Sequence, residues 1–206
     1  MEKKMPSKEE VYRQVQEHLS NLVGWGGQYA DKIIAAGGCV RDCQMNLPEK
    51  VKDIDIYVQD QPMVVFNLRQ AFSPNNGWQG KALVPEKGCA YLDFPNVCAI
   101  WEFWKEGYLP VQIIVVKDYP SHAYILHQHD FGFCQIGWTL GEPASLYTAE
   151  FLIDQNTKTF TIRRCGSTKQ YWRTIDRYRR LLVKYPGWKL DTSKIPAEVK
   201  ANIEGD

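Results

Sequence analysis

Gly37-Gly38-Cys39-Val40-Arg41-Asp42, followed after a short loop by Lys52-Asp53-Ile54-Asp55-Ile56-Tyr57-Val58, is the stretch that decides the reading of this sequence. Just before it, Lys32-Ile33-Ile34-Ala35-Ala36 is a short apolar run stopped by the two glycines, and Cys39 to Asn46 carries no breaker before Leu47-Pro48. The pattern predicts a strand, a tight glycine turn, a short helix and a loop. From Asp53 to Val58, polar residues alternate strictly with apolar or aromatic ones, as in a half-buried strand, so Asp53 and Asp55 point to one face. Carboxylates at i and i+2 project hard oxygen ligands in parallel, which suits one or two Mg²⁺ ions bridging triphosphate oxygens. A glycine turn opening a helix just upstream offers backbone N–H groups and a positive dipole end to a phosphate. Together these features imply metal-dependent phosphoryl or nucleotidyl transfer.

These residues resemble the G-G-x-V-R-D … K-D-I-D-I signature of the DNA polymerase β-like nucleotidyltransferase superfamily, and look most like the branch of class II CCA-adding enzymes and bacterial poly(A) polymerases. The resemblance implies an α+β nucleotidyltransferase head with a mixed or antiparallel sheet flanked by helices. Further on, His129-Asp130-Phe131 with Ile136 looks like that branch's R-R-D-F-T-x-N-A motif, with Gln128 and His129 in place of the arginines. Ile175-Asp176-Arg177-Tyr178-Arg179 looks like its E-D-x-x-R motif, which extends the resemblance from about residue 30 to residue 182. By this resemblance, Gly37 and Gly38 contact the triphosphate of an NTP, and Asp53 and Asp55 are the catalytic, Mg²⁺-binding pair. One ion lowers the pKa of an acceptor hydroxyl while the other neutralises the phosphates as pyrophosphate leaves. Arg41 becomes either a phosphate contact or an internal brace with Asp42, and Asp130 a supporting or sugar contact. Asp176 and Arg179 become base readers, although the simpler reading of that pair is an i, i+3 helix salt bridge.

The sequence departs from the pattern in three places. On the Asp-facing side of the predicted strand Val111 to Val116, where many members of the superfamily carry a third carboxylate, stands Gln112; Glu102 on the neighbouring strand is a candidate substitute. The arginines before Asp130 are missing, which lowers the expected triphosphate affinity. Enzymes resembling this head continue into helical neck, body and tail regions, for which the stretch after residue 182 is too short. This points to a small acceptor or to action with a partner protein.

The remainder of the chain frames this centre. Its 206 residues are 44% hydrophobic and 24% charged, an ordinary globular balance, and 25 Lys and Arg against 24 Asp and Glu create no global field for a polyanion. Six scattered cysteines and the lack of a secretion signal or membrane span point to reduced thiols and a cytoplasmic protein with no membrane contact. Cys39 and Cys43 alone make a poor zinc site.

Ser7 and Glu10 form a capping box ahead of a helix running to about Asn21, which Gly24-Trp25-Gly26-Gly27 ends as a turn. A helix over Pro62 to Phe72, a hairpin of Ala99 to Trp104 with Val111 to Val116, and a second hairpin of Ala149 to Ile153 with Thr159 to Arg163 are predicted. A helix from about Lys169 to Lys184 ends at Pro186-Gly187, and the tail after Asp191 is expected to be loose. The expected organisation is an N-terminal helix and turn over 1–29, a nucleotidyltransferase domain over 30–164, a C-terminal helix packed on the head over 165–190, and a tail over 191–206.

Arg173, Arg177, Arg180 and Lys184 recur along the last helix beside an apolar face of Tyr171, Ile175, Tyr178 and Leu182. This stripe is either a solvated surface or the best candidate for docking an RNA backbone. His127 and His129 alternate on an expected strand and read as surface or hydrogen-bonded residues rather than metal ligands. Asp130-Phe131-Gly132 spells a kinase motif by coincidence, since no companion motif accompanies it. The functional expectation is a Mg²⁺-dependent nucleotidyltransferase moving a nucleoside monophosphate from an NTP to a hydroxyl, foremost an RNA 3′ end. The alternatives are a protein or small-molecule hydroxyl as acceptor, or a degenerate head that binds a nucleotide or a partner protein.

Overall fold

A computed structural model of the chain describes residues 5–24, 27, 29–83, 94–142 and 144–204; Trp25 and Gly26 of the expected turn, and Cys89, lie outside the described residues. Helix α1 (Lys8–Val23) starts where the Ser7 hydroxyl accepts a hydrogen bond from the Glu10 N–H at 3.2 Å. Its Val11, Val15, Leu19 and Leu22 are fully buried, as the helical spacing requires. Strand β1 (Ile33–Ala36) turns at Gly37 into α2 (Gly38–Gln44), and β2 (Ile54–Gln59) follows, then α3 (Pro62–Ala71). Next come β3 (Gln79–Leu83), β4 (Val97–Trp104) and β5 (Val111–Val116), the last two paired antiparallel as expected.

The second half supplies α4 (His122–His127), β6 (Ile136–Trp138), β7 (Leu146–Tyr147), α5 (Ala149–Thr157), β8 (Thr159–Thr161), α6 (Thr168–Lys184), β9 (Lys189–Asp191) and α7 (Ala197–Glu204). Seven strands form one sheet in the order β3-β4-β5-β2-β1-β6-β7, in which β2 and β5 run parallel and the other neighbours antiparallel. The fold is α+β, a mixed, mostly antiparallel sheet flanked by helices. Among the described residues no helix is long and apolar enough to cross a membrane.

The two faces of the sheet are finished differently. Ile54, Ile56, Val58, Val111, Ile113 and Val115 point into the main core with Val11, Val15, Leu19, Val64 and Leu68 of α1 and α3. On the opposite face, Ile34, Tyr57, Ile114 and Val116 are sealed by Tyr119, Ile125 and Leu126. Further along that face the register aligns Asp55 with Gln112, Gln112 with Glu102, and Glu102 with Lys81. Residues directly opposite share a face, so these four side chains form one row across β2, β5, β4 and β3. Asp55, Gln112 and Glu102 are half-buried, whereas their neighbours Tyr57, Ile114 and Ile100 are buried, so this end of the face is more open than the rest.

Three expectations are corrected. Residues 149–153 are not a strand: the Thr148 hydroxyl accepts from the Phe151 N–H at 3.3 Å, capping α5, and Lys158 at φ 53° ends it. The strand that follows, β8, pairs in parallel with β9 instead of forming a hairpin. His127 and His129 do not share a strand, since His127 ends α4 and His129 is buried beyond it. The tail after Asp191 is not loose, because α7 forms there and buried Ile195 and Val199 anchor the segment. A cluster of rings also fixes the C-terminal part: Trp188 packs on Phe133 at 4.2 Å and on Phe160 at 5.1 Å.

Candidate functional site

Gly37 sits between the end of β1 and α2 with φ at 83°, a conformation that favours glycine. A Cβ built there would meet His129 Nε2 at 3.2 Å and Asp55 Oδ2 at 4.0 Å, so the turn is tight against His129 and within ordinary contact range of Asp55. Gly38 begins the helix, where the first N–H groups have no intrahelical acceptor. Asp55 lies in β2 and Asp53 immediately before it, both half-buried. Burial raises the Asp53 carboxyl above its ordinary value, Lys184 and Lys52 pull it back down, and Glu102 and Asp42 push it up. Glu102 is itself ion-paired with Lys81 at 3.0 Å.

Asp42 of α2 centres a hub of which the sequence showed only the Arg41 partner. Asp42, fully buried, takes the Arg41 Nε at 2.8 Å and Nη2 at 2.6 Å, the Tyr185 hydroxyl at 2.6 Å, and Lys184 Nζ at 2.5 Å. Lys184 Nζ also donates to the Lys50 carbonyl at 2.9 Å. Of the two roles expected for Arg41, its buried contacts are those of the internal brace. Asp130 accepts from the Phe131 N–H at 3.0 Å and from Arg177 Nη1 at 2.8 Å. His129 is 5% exposed, its Nδ1 is 3.1 Å from the Leu126 carbonyl, and its Nε2 is 3.4 Å from the Tyr57 hydroxyl. Burial, helped by Arg177, lowers its pKa to about 4, so the ring is neutral at pH 7.

The structure thus brings Gly37, Asp55, His129 and Tyr57 together, with Asp130 and Arg177 adjoining through His129, and ties Lys184 to the Asp42 hub. It does not bring Asp176 and Arg179 into this group: they bond to each other at 2.9 Å with side chains 68% and 67% exposed, the i, i+3 pair of the simpler reading. The basic stripe does not present one even surface: Arg177 and Lys184 turn onto the head, Arg173 is half-buried, and Arg180 is exposed. Lys184, Tyr185 and Arg177 come from α6 and its end, far along the chain from Asp42 and Asp130. The alternation of Asp53, Asp55 and Tyr57 was the one local signal that put Tyr57 on the same face.

Among the described residues no three His, Cys, Asp or Glu side chains cluster as a metal cage. Asp53 and Asp55 are nevertheless hard oxygen donors of the kind that suits Mg²⁺, which takes one or two protein carboxylates and fills its octahedron with phosphate oxygens and water.

The glycine turn, with Asp55 beside it, lies at the more open end of the mixed sheet. Solved structures share the fold. A tRNA-processing enzyme in an apo form matches with a TM-score of 0.62 at 17% identity over 99% of this chain. The Thermotoga maritima CCA-adding enzyme complexed with tRNA matches at 0.59 and 14% over 97%, and a CCA-adding enzyme with CTP at 0.54 and 16% over 95%. This chain covers 49%, 46% and 46% of those chains, about half their length, and at such identities the likeness is one of fold. No curated protein sequence matches it. A protein-family model does, over residues 8–158: the chain belongs to the Gabija anti-defense 2 (Gad2) family.

Proposed function

We propose that this protein is a Mg²⁺-dependent nucleotidyltransferase that moves a nucleoside monophosphate from an NTP to a hydroxyl, and that the transfer serves the counter-defence role in its family's name. The observation that carries the reading is the Gly37 turn, its would-be Cβ 4.0 Å from Asp55 Oδ2, beside a second carboxylate from Asp53. Gly37 and Gly38 let phosphate approach the backbone closely. Asp53 and Asp55 hold Mg²⁺, which when bound supplies charge neutralisation to the phosphates and a lower pKa to the attacking hydroxyl. Burial raises the Asp53 carboxyl, and the charges of Lys184 and Lys52 offset part of that rise. The acceptor oxygen bonds the α-phosphorus as the α–β bridging bond breaks, pyrophosphate leaves with the electron pair, and the hydroxyl proton passes to water.

The acceptor we assign is a protein hydroxyl of the Gabija defence machinery. The family name supports this choice, and so does the basic stripe, which is broken as an RNA track because Lys184 is tied to Asp42 and Arg177 is turned onto Asp130 of the head. An RNA 3′ end is the second reading, favoured by a structural neighbour complexed with tRNA. The test offers the protein each of the four α-³²P-labelled NTPs with Mg²⁺, total RNA, and extract from cells carrying the defence system. Asp53→Ala and Asp55→Ala run alongside. Label on a protein band, lost in both variants, is the expected result, and label on RNA moves the assignment to the second reading. Full transfer by either variant removes the carboxylates from the mechanism.

A further inference from the structure

An NTP carries about four negative charges at neutral pH, so a site that holds it needs a cation within reach of the phosphates. Around the Gly37 turn, most basic groups are already engaged. Arg41 is 2% exposed and bound to Asp42, and Lys184 is bound to Asp42 and the Lys50 carbonyl. His129, which touches the turn, directs its two ring nitrogens at the Leu126 carbonyl and the Tyr57 hydroxyl. Its neighbour Asp130 grips an arginine from another part of the chain, Arg177 of α6.

That grip is partial. A guanidinium has five N–H donors. Asp130 Oδ1 takes Nη1 at 2.8 Å, and among the described residues the other hydrogen-bond contact of the Arg177 head is a long one, Nη2 to Cys134 Sγ at 3.9 Å. The side chain is 31% exposed, more than Lys184 at 20% or Arg41 at 3%. Asp130, which holds this charge, directly follows the residue that touches the glycine turn.

We propose that Arg177, oriented by Asp130, binds the β and γ phosphates of the NTP beside Gly37, which makes helix α6 part of the nucleotide site. The assignment rests on the nucleotidyltransferase reading above and adds to it a ligand from outside the glycine and aspartate segment. Asp130 is a positioning residue: it keeps Nη1 while the remaining N–H donors face the phosphates. A planar fork pairs with phosphate oxygens better than the point charge of lysine does.

The decisive experiment compares ATP, ADP and AMP binding, each with Mg²⁺, to wild type, Arg177→Met, Arg177→Lys and Asp130→Asn, with circular dichroism as the control for folding. Arg177→Met is expected to weaken ATP at least tenfold while leaving AMP unchanged, Arg177→Lys to recover part of the loss, and Asp130→Asn to raise the KM for NTP with kcat retained. In wild type, ATP is expected to slow amide hydrogen exchange across Thr168–Lys184, a readout that needs no variant to fold. Unchanged ATP binding in Arg177→Met, or no slowing in α6 under saturating ATP, overturns the assignment while leaving the nucleotidyltransferase reading in place. Wild type that binds no NTP at all overturns both.

Discussion

At Gly37 two constraints converge on one atom. The φ of 83° disfavours any residue with a Cβ, and a Cβ would sit 3.2 Å from His129 Nε2, a ring locked by its own hydrogen bond to the Leu126 carbonyl. Gly37→Ala therefore costs roughly 1–2 kcal/mol from backbone strain, before any shift of His129. Its expected signature is a loss of NTP transfer much larger than the loss of stability, checked by steady-state kinetics beside a urea melt. Transfer at the wild-type rate would show that the turn is architectural only. Asp42 is the contrasting case, a carboxylate whose contacts are internal and whose role is to hold α2 and α6 in one place. The sequence made the first kind of residue legible, because Gly37, Gly38, Asp53 and Asp55 lie in one short segment with a chemical pattern. It hid the second kind, because Asp42 with Tyr185 and Asp130 with Arg177 are partners that only folding brings together.

Elements were legible where periodicity was long and strict. The first helix, the β2 alternation and the β4–β5 hairpin carry enough repeats to show their type, and α6 does so over four turns. Short elements carried too little signal: β6 has three residues and β7 two, and β3 is exposed almost throughout, so apolar alternation is absent from it. Helix α5 was misread because Phe151, Leu152 and Ile153 look β-prone, while its decisive signal was the Thr148 cap with Glu150 in the first turn. Its Asp154 is fully buried, accepting from the Phe133 N–H at 2.9 Å and the Thr161 hydroxyl at 2.7 Å, contacts that require a helix there. Thr148→Ala removes the cap and is expected to lower stability by about 1 kcal/mol. Because Thr148 also donates to Gln135 Oε1 at 2.8 Å, Thr148→Ser, which keeps both bonds, should restore most of the loss in the same denaturation series.

Across the whole molecule, two buried imidazoles link stability to pH. His18, 1% exposed, stands among Phe72, Trp78 and Tyr108, with Nε2 buried and unpaired; burial first, then Arg13 and Lys105, lowers its pKa from 6.5 to about 4. His129 is lowered to the same value. Each folded-state pKa lies below the unfolded value, so as pH falls the unfolded chain takes up protons first. Stability is full above pH 6.5, declines as pH drops toward 4, and loses nothing more from these groups below that. The largest effect is about 3 kcal/mol for each histidine. Asp53 and Asp154 act in the opposite sense: their carboxyls are raised by burial, so protonating them favours the folded state and offsets part of the loss. The net expectation is a urea midpoint lower at pH 5 than at pH 7. His18→Leu isolates one contribution, because an aliphatic side chain suits that aromatic box and leaves the glycine turn untouched. The variant should show a smaller drop between the two pH values while retaining nucleotide binding. An unchanged drop would shift the acid sensitivity to His129 and to His122, whose pKa burial also lowers, and a change on adding ATP would single out His129.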